Sequence, residues 1–184
     1  MNKGVSLILK IAAVSFMILH LGGYVAADKR SNDSASQSTK NERAKRMYKK
    51  LTTNMMVEDV NRTVDFYSNV LGFQFVMGVP EDSQEIVTAM QKDQALGFAI
   101  VKCENVEMMF QAKKSLALEI PEFSGMKIGG SLTFYIEVEN VKGLYEELKD
   151  KVTIIKDMQA TFYGKREFYI RDFNGYVLTL AGDV

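Results

Sequence analysis

From Leu51 onward, apolar and polar residues fall into two distinct periods. Leu51, Thr53, Met55 and Val57 alternate with Thr52, Asn54, Met56 and Glu58, the period of two expected of a strand. After Asp59, a suitable helix N-cap, Val60, Val64, Tyr67, Val70 and Leu71 are spaced as the buried stripe of a helix, and Gly72 ends it. Phe73 to Val79 reads as a second strand closed by Pro80. The loop after it is expected to hold one helical turn around Gln84 to Met90. Strands Leu96 to Lys102 and Val106 to Gln111 follow, joined by a turn at Glu104-Asn105. The order is β-α-β-β-β.

The same order then recurs. Leu132 to Val138 alternates, Asn140 caps a helix with Val141, Leu144, Tyr145 and Leu148 on its apolar stripe, and three strands follow. These are Val152 to Lys156, Arg166 to Arg171 and Tyr176 to Ala181, the last two joined by the turn Asp172-Phe173-Asn174-Gly175. Val57-Glu58-Asp59-Val60 and Val138-Glu139-Asn140-Val141 mark the same strand-to-helix step in each half, with Thr52 and Thr133 at one offset before them. Ser115 to Gly130 reads as an irregular linker. The fold class is therefore α+β: two β-α-β-β-β modules, about 51–112 and 131–182, forming a paired curved-sheet cleft.

Parity assigns the faces. Leu51, Met55, Val57, Phe134, Ile136, Tyr176 and Leu178 are expected against the helices. Thr52, Asn54, Met56, Glu107, Met109, Gln111, Thr133, Tyr135, Glu137, Val177 and Thr179 are expected to line the concavity. Aromatics and methionines with a few polar groups suit a small-molecule pocket, although the same side chains can simply fill an interior. Tyr163, between Phe162 and Gly164, is expected at the pocket lip, where it would stack on a planar ligand or stand as an ordinary surface aromatic.

Composition changes the picture mainly at the N-terminus. Lys3 and Lys10 precede an apolar run from Ile11 to Val25 and the small-residue site Val25-Ala26-Ala27, the layout of an export signal. Residues 1–27 are read as a signal peptide cleaved after Ala27, which makes the protein periplasmic or secreted. The alternative is an uncleaved membrane anchor over residues 11–27. Residues 28–50, rich in Ser, Asn, Lys and Arg, read as a basic disordered linker. Residues 51–184 carry thirteen bases and twenty acids, a net of −7, which argues against a nucleic-acid partner. Cys103 is the single cysteine and sits in a strand-like run, as a buried inert thiol would. The only histidine, His20, lies in the export segment, so the domain has no imidazole to activate a nucleophile.

Glu107, mid-strand between Val106 and Met108, is the residue with the most chemistry to offer. If buried, its charge needs a cation or a raised pKa. It is then an anchor for a basic ligand or a candidate general base; on a solvated edge it is neither. Arg166 reads as structural, paired with a carboxylate such as Asp172.

The strings Asp65-Phe66-Tyr67, Val70-Leu71-Gly72-Phe73, Gly164-Lys165-Arg166-Glu167-Phe168 and Asp172-Phe173-Asn174-Gly175-Tyr176 resemble those of the vicinal oxygen chelate superfamily. That group contains glyoxalase I, extradiol dioxygenases and bleomycin-resistance proteins. The resemblance covers about Leu51 to Leu180. It implies a metal site drawn from the first and last strand of each module, at Thr52, Glu107, Thr133 and Thr179. Of these only Glu107 is an ordinary ligand for a divalent ion, so the metal-free bleomycin-resistance-like members are the nearer comparison and no cofactor is expected.

The function expected is an exported, metal-free, homodimeric protein that sequesters a small cationic or aromatic compound. Its ligand-binding residues are expected to be Thr52, Asn54, Glu107, Met109, Gln111, Thr133, Tyr135, Tyr163 and Thr179. One alternative is a lyase, isomerase or dioxygenase relative with Glu107 as base, or as metal ligand with Glu137 and waters. Another is a degenerate domain that binds a partner in the envelope.

Overall fold

The computed structural model describes residues 47–184. The export segment, its cleavage site, His20 and most of the basic linker lie outside them. The chain divides into two units, residues 1–53 and 54–184, and the second holds both modules apart from Thr53, the first residue of the first strand.

The first module runs β1 (Thr53–Val57), α1 (Val60–Asn69), β2 (Gln74–Pro80), β3 (Leu96–Cys103) and β4 (Val106–Ala112). The second runs β5 (Thr133–Glu137), α3 (Val141–Leu148), β6 (Thr153–Ala160), β7 (Lys165–Arg171) and β8 (Val177–Asp183). Each makes a four-stranded sheet, ordered β1-β4-β3-β2 and β5-β8-β7-β6. The α+β class and the two-module arrangement stand as expected. The caps do as well: Asp59 Oδ1 accepts from Arg62 N at 2.9 Å and Asn140 Oδ1 from Gly143 N at 3.0 Å, each satisfying a donor that the first helical turn leaves open.

Several local expectations are corrected. Leu51 lies before β1 and is exposed rather than packed on a helix. No helical turn forms near Gln84 to Met90; Val87 instead exchanges backbone hydrogen bonds with Gly78 of edge strand β2. The linker Ser115–Gly130 overlaps a short helix, α2 (Lys113–Glu119), and contains a 3₁₀ turn at Pro121–Phe123. Neither carries a side-chain cap to announce it. Tyr176 falls in the turn before β8 rather than within it.

One buried cluster joins the modules. Met55, Val57, Ala99, Val101, Met108 and Phe110 of the first sheet meet Phe168, Ile170, Leu178 and Leu180 of the second through α1 and α3. Tyr67 of α1 is at its centre, 4.7 Å from the Phe110 ring and donating to Asp172 Oδ2 at 3.2 Å. Tyr176 adds a bond from its hydroxyl to Met56 O at 2.8 Å. Burial of these rings together with the aliphatic side chains around them favours the folded state. The opposite face of each sheet, where the sequence put the ligand, is turned away from this core.

Candidate functional site

On the first sheet, that opposite face is largely buried and its polar groups are committed. Register sets Gln111 opposite Phe98, Met109 opposite Ile100, and Glu107 opposite Lys102. Gln111, fully buried, accepts from Asn54 Nδ2 at 2.7 Å and donates to Ser115 Oγ at 3.2 Å and Glu119 Oε2 at 2.9 Å. Two residues expected to hold ligand thus hold each other and α2. Met56, Phe98 and Ile100 are buried beside them. Glu107 is only half-buried, and the cross-strand base Lys102 lies in register with it, the favourable arrangement for opposite charges on a sheet. Thr52 belongs to the first compact unit.

The second sheet is different. Here β8 presents small or short residues, Val177, Thr179 and Ala181, between taller ones on β5 and β7. Register aligns Tyr135, Thr179 and Tyr169 in one row and Glu137, Ala181 and Glu167 in the next. The alternation that buries Phe168 and Ile170 in the core puts Lys165, Glu167, Tyr169 and Arg171 on this face. Thr133 Oγ1 and Thr179 Oγ1 lie 3.1 Å apart, one donating to the other.

Glu167 is the centre of the arrangement. It is only 2% exposed, yet it gathers tyrosine hydroxyls from three directions. Tyr163 donates to Oε1 at 2.5 Å and Tyr169 to Oε2 at 3.1 Å. The hydroxyl of Tyr135, from β5, acts on the same carboxylate and helps to lower it. The loop between β6 and β7 makes the first contact possible. Gly164 takes φ +82° there, a backbone geometry open to glycine, and Thr161 ties the hairpin to Lys165. Tyr163 is thereby folded back over β7.

Burial by itself would raise the Glu167 carboxyl. The Tyr163, Tyr169 and Tyr135 hydroxyls and the Lys156 charge outweigh it and hold the group below the ordinary carboxylate value. The phenols respond in the other direction. The bond to Glu167 pushes Tyr163 up to about 12, and burial followed by the same carboxylate raises Tyr169 and Tyr135. At neutral pH the cluster is one carboxylate and three intact phenols. Around it, Tyr135 and Tyr163 are half exposed and Phe162 is fully exposed, edge-on to Tyr163 at 4.9 Å. Lys156 lies over the Tyr169 ring at 5.0 Å, and Lys165 is spent on Glu137 and Asp183, both at 2.9 Å.

The structure therefore brings Tyr135, Tyr163, Thr133 and Thr179 onto one face, and Asn54, Gln111, Met109 and Glu107 onto another. The sequence reading missed Glu167 and Tyr169. The signal was present: parity applied to Lys165–Arg171, as it was to the neighbouring strands, places both opposite the core residues. Arg166 does not pair with Asp172. Its Nε has no acceptor among the described residues, while Asp172 is bonded to Tyr67 and to Tyr176 N.

Of the positions at which the resemblance implies a metal ligand, only Glu107 carries a charge. Thr133 and Thr179 satisfy each other, and neutral hydroxyls are poor ligands for zinc, iron or nickel. Among the described residues no three His, Cys, Asp or Glu side chains gather as a metal ion would need.

The family model of the Glyoxalase/Bleomycin resistance protein/Dioxygenase superfamily matches residues 49–180. None of the curated proteins matches the chain. Among solved structures, the chain is similar to a protein of unknown function from Agrobacterium tumefaciens str. C58, at 17% identity and a TM-score of 0.57, over 74% of this chain and 95% of that one. It is similar to a member of the same superfamily from Sphaerobacter thermophilus DSM 20745, at 20% identity and a TM-score of 0.55, over 74% and 99%. TioX from Micromonospora sp. ML1 gives 16% identity and a TM-score of 0.54, over 74% and 100%. At these identities the likeness is one of fold.

Proposed function

The chain belongs to the Glyoxalase/Bleomycin resistance protein/Dioxygenase superfamily, and from that premise we propose that it is an exported, metal-free protein that binds and sequesters a small molecule. The ligand docks on the polar face of the second sheet, over β8. The observation that carries this reading is Glu167, a buried carboxylate kept ionised by three tyrosine hydroxyls under an exposed aromatic surface. A charge so far removed from water is costly to maintain. Its position beneath Tyr135 and Tyr163 gives that cost a purpose in attracting a cationic or aromatic compound.

This reading moves the electrostatic anchor from Glu107 to Glu167. Glu107 has a cross-strand base in register with it, whereas the carboxylate of Glu167 is lowered chiefly by neutral hydroxyls and, after them, by Lys156. Holding a ligand here needs no bond to be broken. In the same reading the protein is a homodimer, because the polar face is open in one chain and a facing copy would enclose what it holds. Export follows the basic, apolar and small-residue succession of residues 1–27.

Native mass spectrometry of the purified protein tests the core of the proposal. A small organic molecule retained at one per chain, without a divalent metal, is the expected result. A stoichiometric metal ion would sink the metal-free reading, and a monomer at micromolar concentration would remove the dimer from it.

A further inference from the structure

The proton arrangement around Glu167 narrows the class of ligand, on the proposed reading that this face binds one. An ionised carboxylate has only lone pairs to offer. Each phenol bonded to it must therefore supply its single proton inward, as Tyr163 and Tyr169 do at 2.5 and 3.1 Å. Once that proton is committed, a phenol has nothing left to donate. What it turns outward is the remaining lone-pair density of its oxygen. Tyr135 and Tyr163 are both about half exposed, and the buried negative charge behind them makes a phenol oxygen a stronger acceptor.

We propose that this face selects a compound with a hydrogen-bond-donating cationic head, an amidinium, guanidinium or protonated amine, joined to a flat aromatic body. The head takes its place over Tyr135, Tyr163 and Tyr169, and the body lies on Phe162 and the Tyr163 ring. An anion meets three oxygens with no proton to give. A quaternary ammonium finds the aromatic faces but leaves the acceptors unused. The cations already on the face fit the same pattern. Lys165 is bound to Glu137 and Asp183. Lys156, exposed and 5.0 Å from the Tyr169 ring, occupies part of the position that a ligand head would take. It is on a flexible stem and is free to be displaced. Arg171 projects from the far end of β7, in register with Val177.

The test is an equilibrium titration of the full-length protein with three probes of similar size: benzamidine, benzyltrimethylammonium and benzoate. Tyrosine ring resonances are followed by NMR. Benzamidine is expected to shift the rings of Tyr135, Tyr163 and Tyr169 saturably, with benzyltrimethylammonium about tenfold weaker and benzoate without effect. Tyr135→Phe and Tyr163→Phe, at half-exposed positions, are each expected to weaken benzamidine several-fold, with a cooperative melting curve, at lowered temperature, showing that each variant is folded. Glu167→Gln, where it folds, is expected to abolish the preference, because an amide frees the phenol protons to point outward. Equal or tighter binding of the quaternary ion overturns the donor argument while leaving the site in place. If no probe moves any of the three rings, the face is not a ligand site and the underlying reading fails with it.

Discussion

The hydroxyls of Thr133 and Thr179 lie 3.1 Å apart across β5 and β8, each serving as the other's partner at positions where the superfamily resemblance implies metal ligands. Thr179 is 2% exposed while Thr133 is open to water. The pair therefore acts as a local tie, and its loss falls mainly on the buried member. Thr179→Val keeps the shape and removes one hydroxyl. The expected cost is about 1 kcal/mol in urea-induced unfolding, with the metal content of the purified protein unchanged.

Tyr67 and Asp172 make a second buried pair, now between the modules, at 3.2 Å. Tyr67→Phe leaves Asp172 with its bond from Tyr176 N and costs about 1–2 kcal/mol by chemical denaturation. Burial is the main reason that Asp172 is held above the ordinary carboxylate value. A raised folded-state value contributes stability that is full below the unfolded pKa and is lost as pH rises through the folded one. Asp172→Asn should accordingly flatten the part of the stability curve that falls on going from acid toward neutral pH.

Glu167 has the opposite sign. Its folded value is lowered, against the pull of burial, by the Tyr163, Tyr169 and Tyr135 hydroxyls. Its stabilisation is present above the ordinary value near 4.5 and disappears as pH falls through the lower folded one. Thermal melts between pH 3 and pH 6 should show wild-type protein losing more stability on acidification than Glu167→Gln. The same slope in both would contradict the ionised, hydroxyl-bound state.

Tyr163 gives a spectroscopic reading of that bond. The carboxylate pushes its phenol up to about 12. In an absorbance titration at alkaline pH, Tyr163 should be among the last tyrosines to ionise, and Glu167→Gln should bring it back toward 10.0, the ordinary phenol value. Its contribution to folding is full below that value and fades as pH rises toward 12.

Gly182 closes β8 against the start of α3. A Cβ there would meet Val138 O at 2.8 Å and Val141 Cβ at 2.9 Å, distances that backbone and a packed valine cannot easily relieve. Gly182→Ala is expected to destabilise by about 2 kcal/mol, seen as a lower melting temperature.

The order of elements was legible in the chain because period two and period 3.6 leave different residues apolar. Asp59 and Asn140 could be read as caps, since capping is a contact within four residues. The short helix Lys113–Glu119 was not legible. It has no side-chain cap, and its tie to the sheet is the bond between Gln111 and Glu119, which local pattern does not encode. Strand parity also placed Thr133, Tyr135 and Thr179 on one face correctly, because that depends only on alternation.

Which carboxylate is buried was a different kind of question. Glu107 stands mid-strand between Val106 and Met108 and Glu167 between Arg166 and Phe168, and strand parity turns both away from the helices. Glu167 is desolvated because Tyr135 from β5, Tyr163 from a folded-back loop and Tyr169 from its own strand converge over it. Those side chains meet only when the sheet is paired and Gly164 has turned the hairpin. The sequence by itself determined the two modules, their faces and the want of imidazole in the domain. The tertiary structure decided where charge is withdrawn from water, since burial is a property of what surrounds a residue.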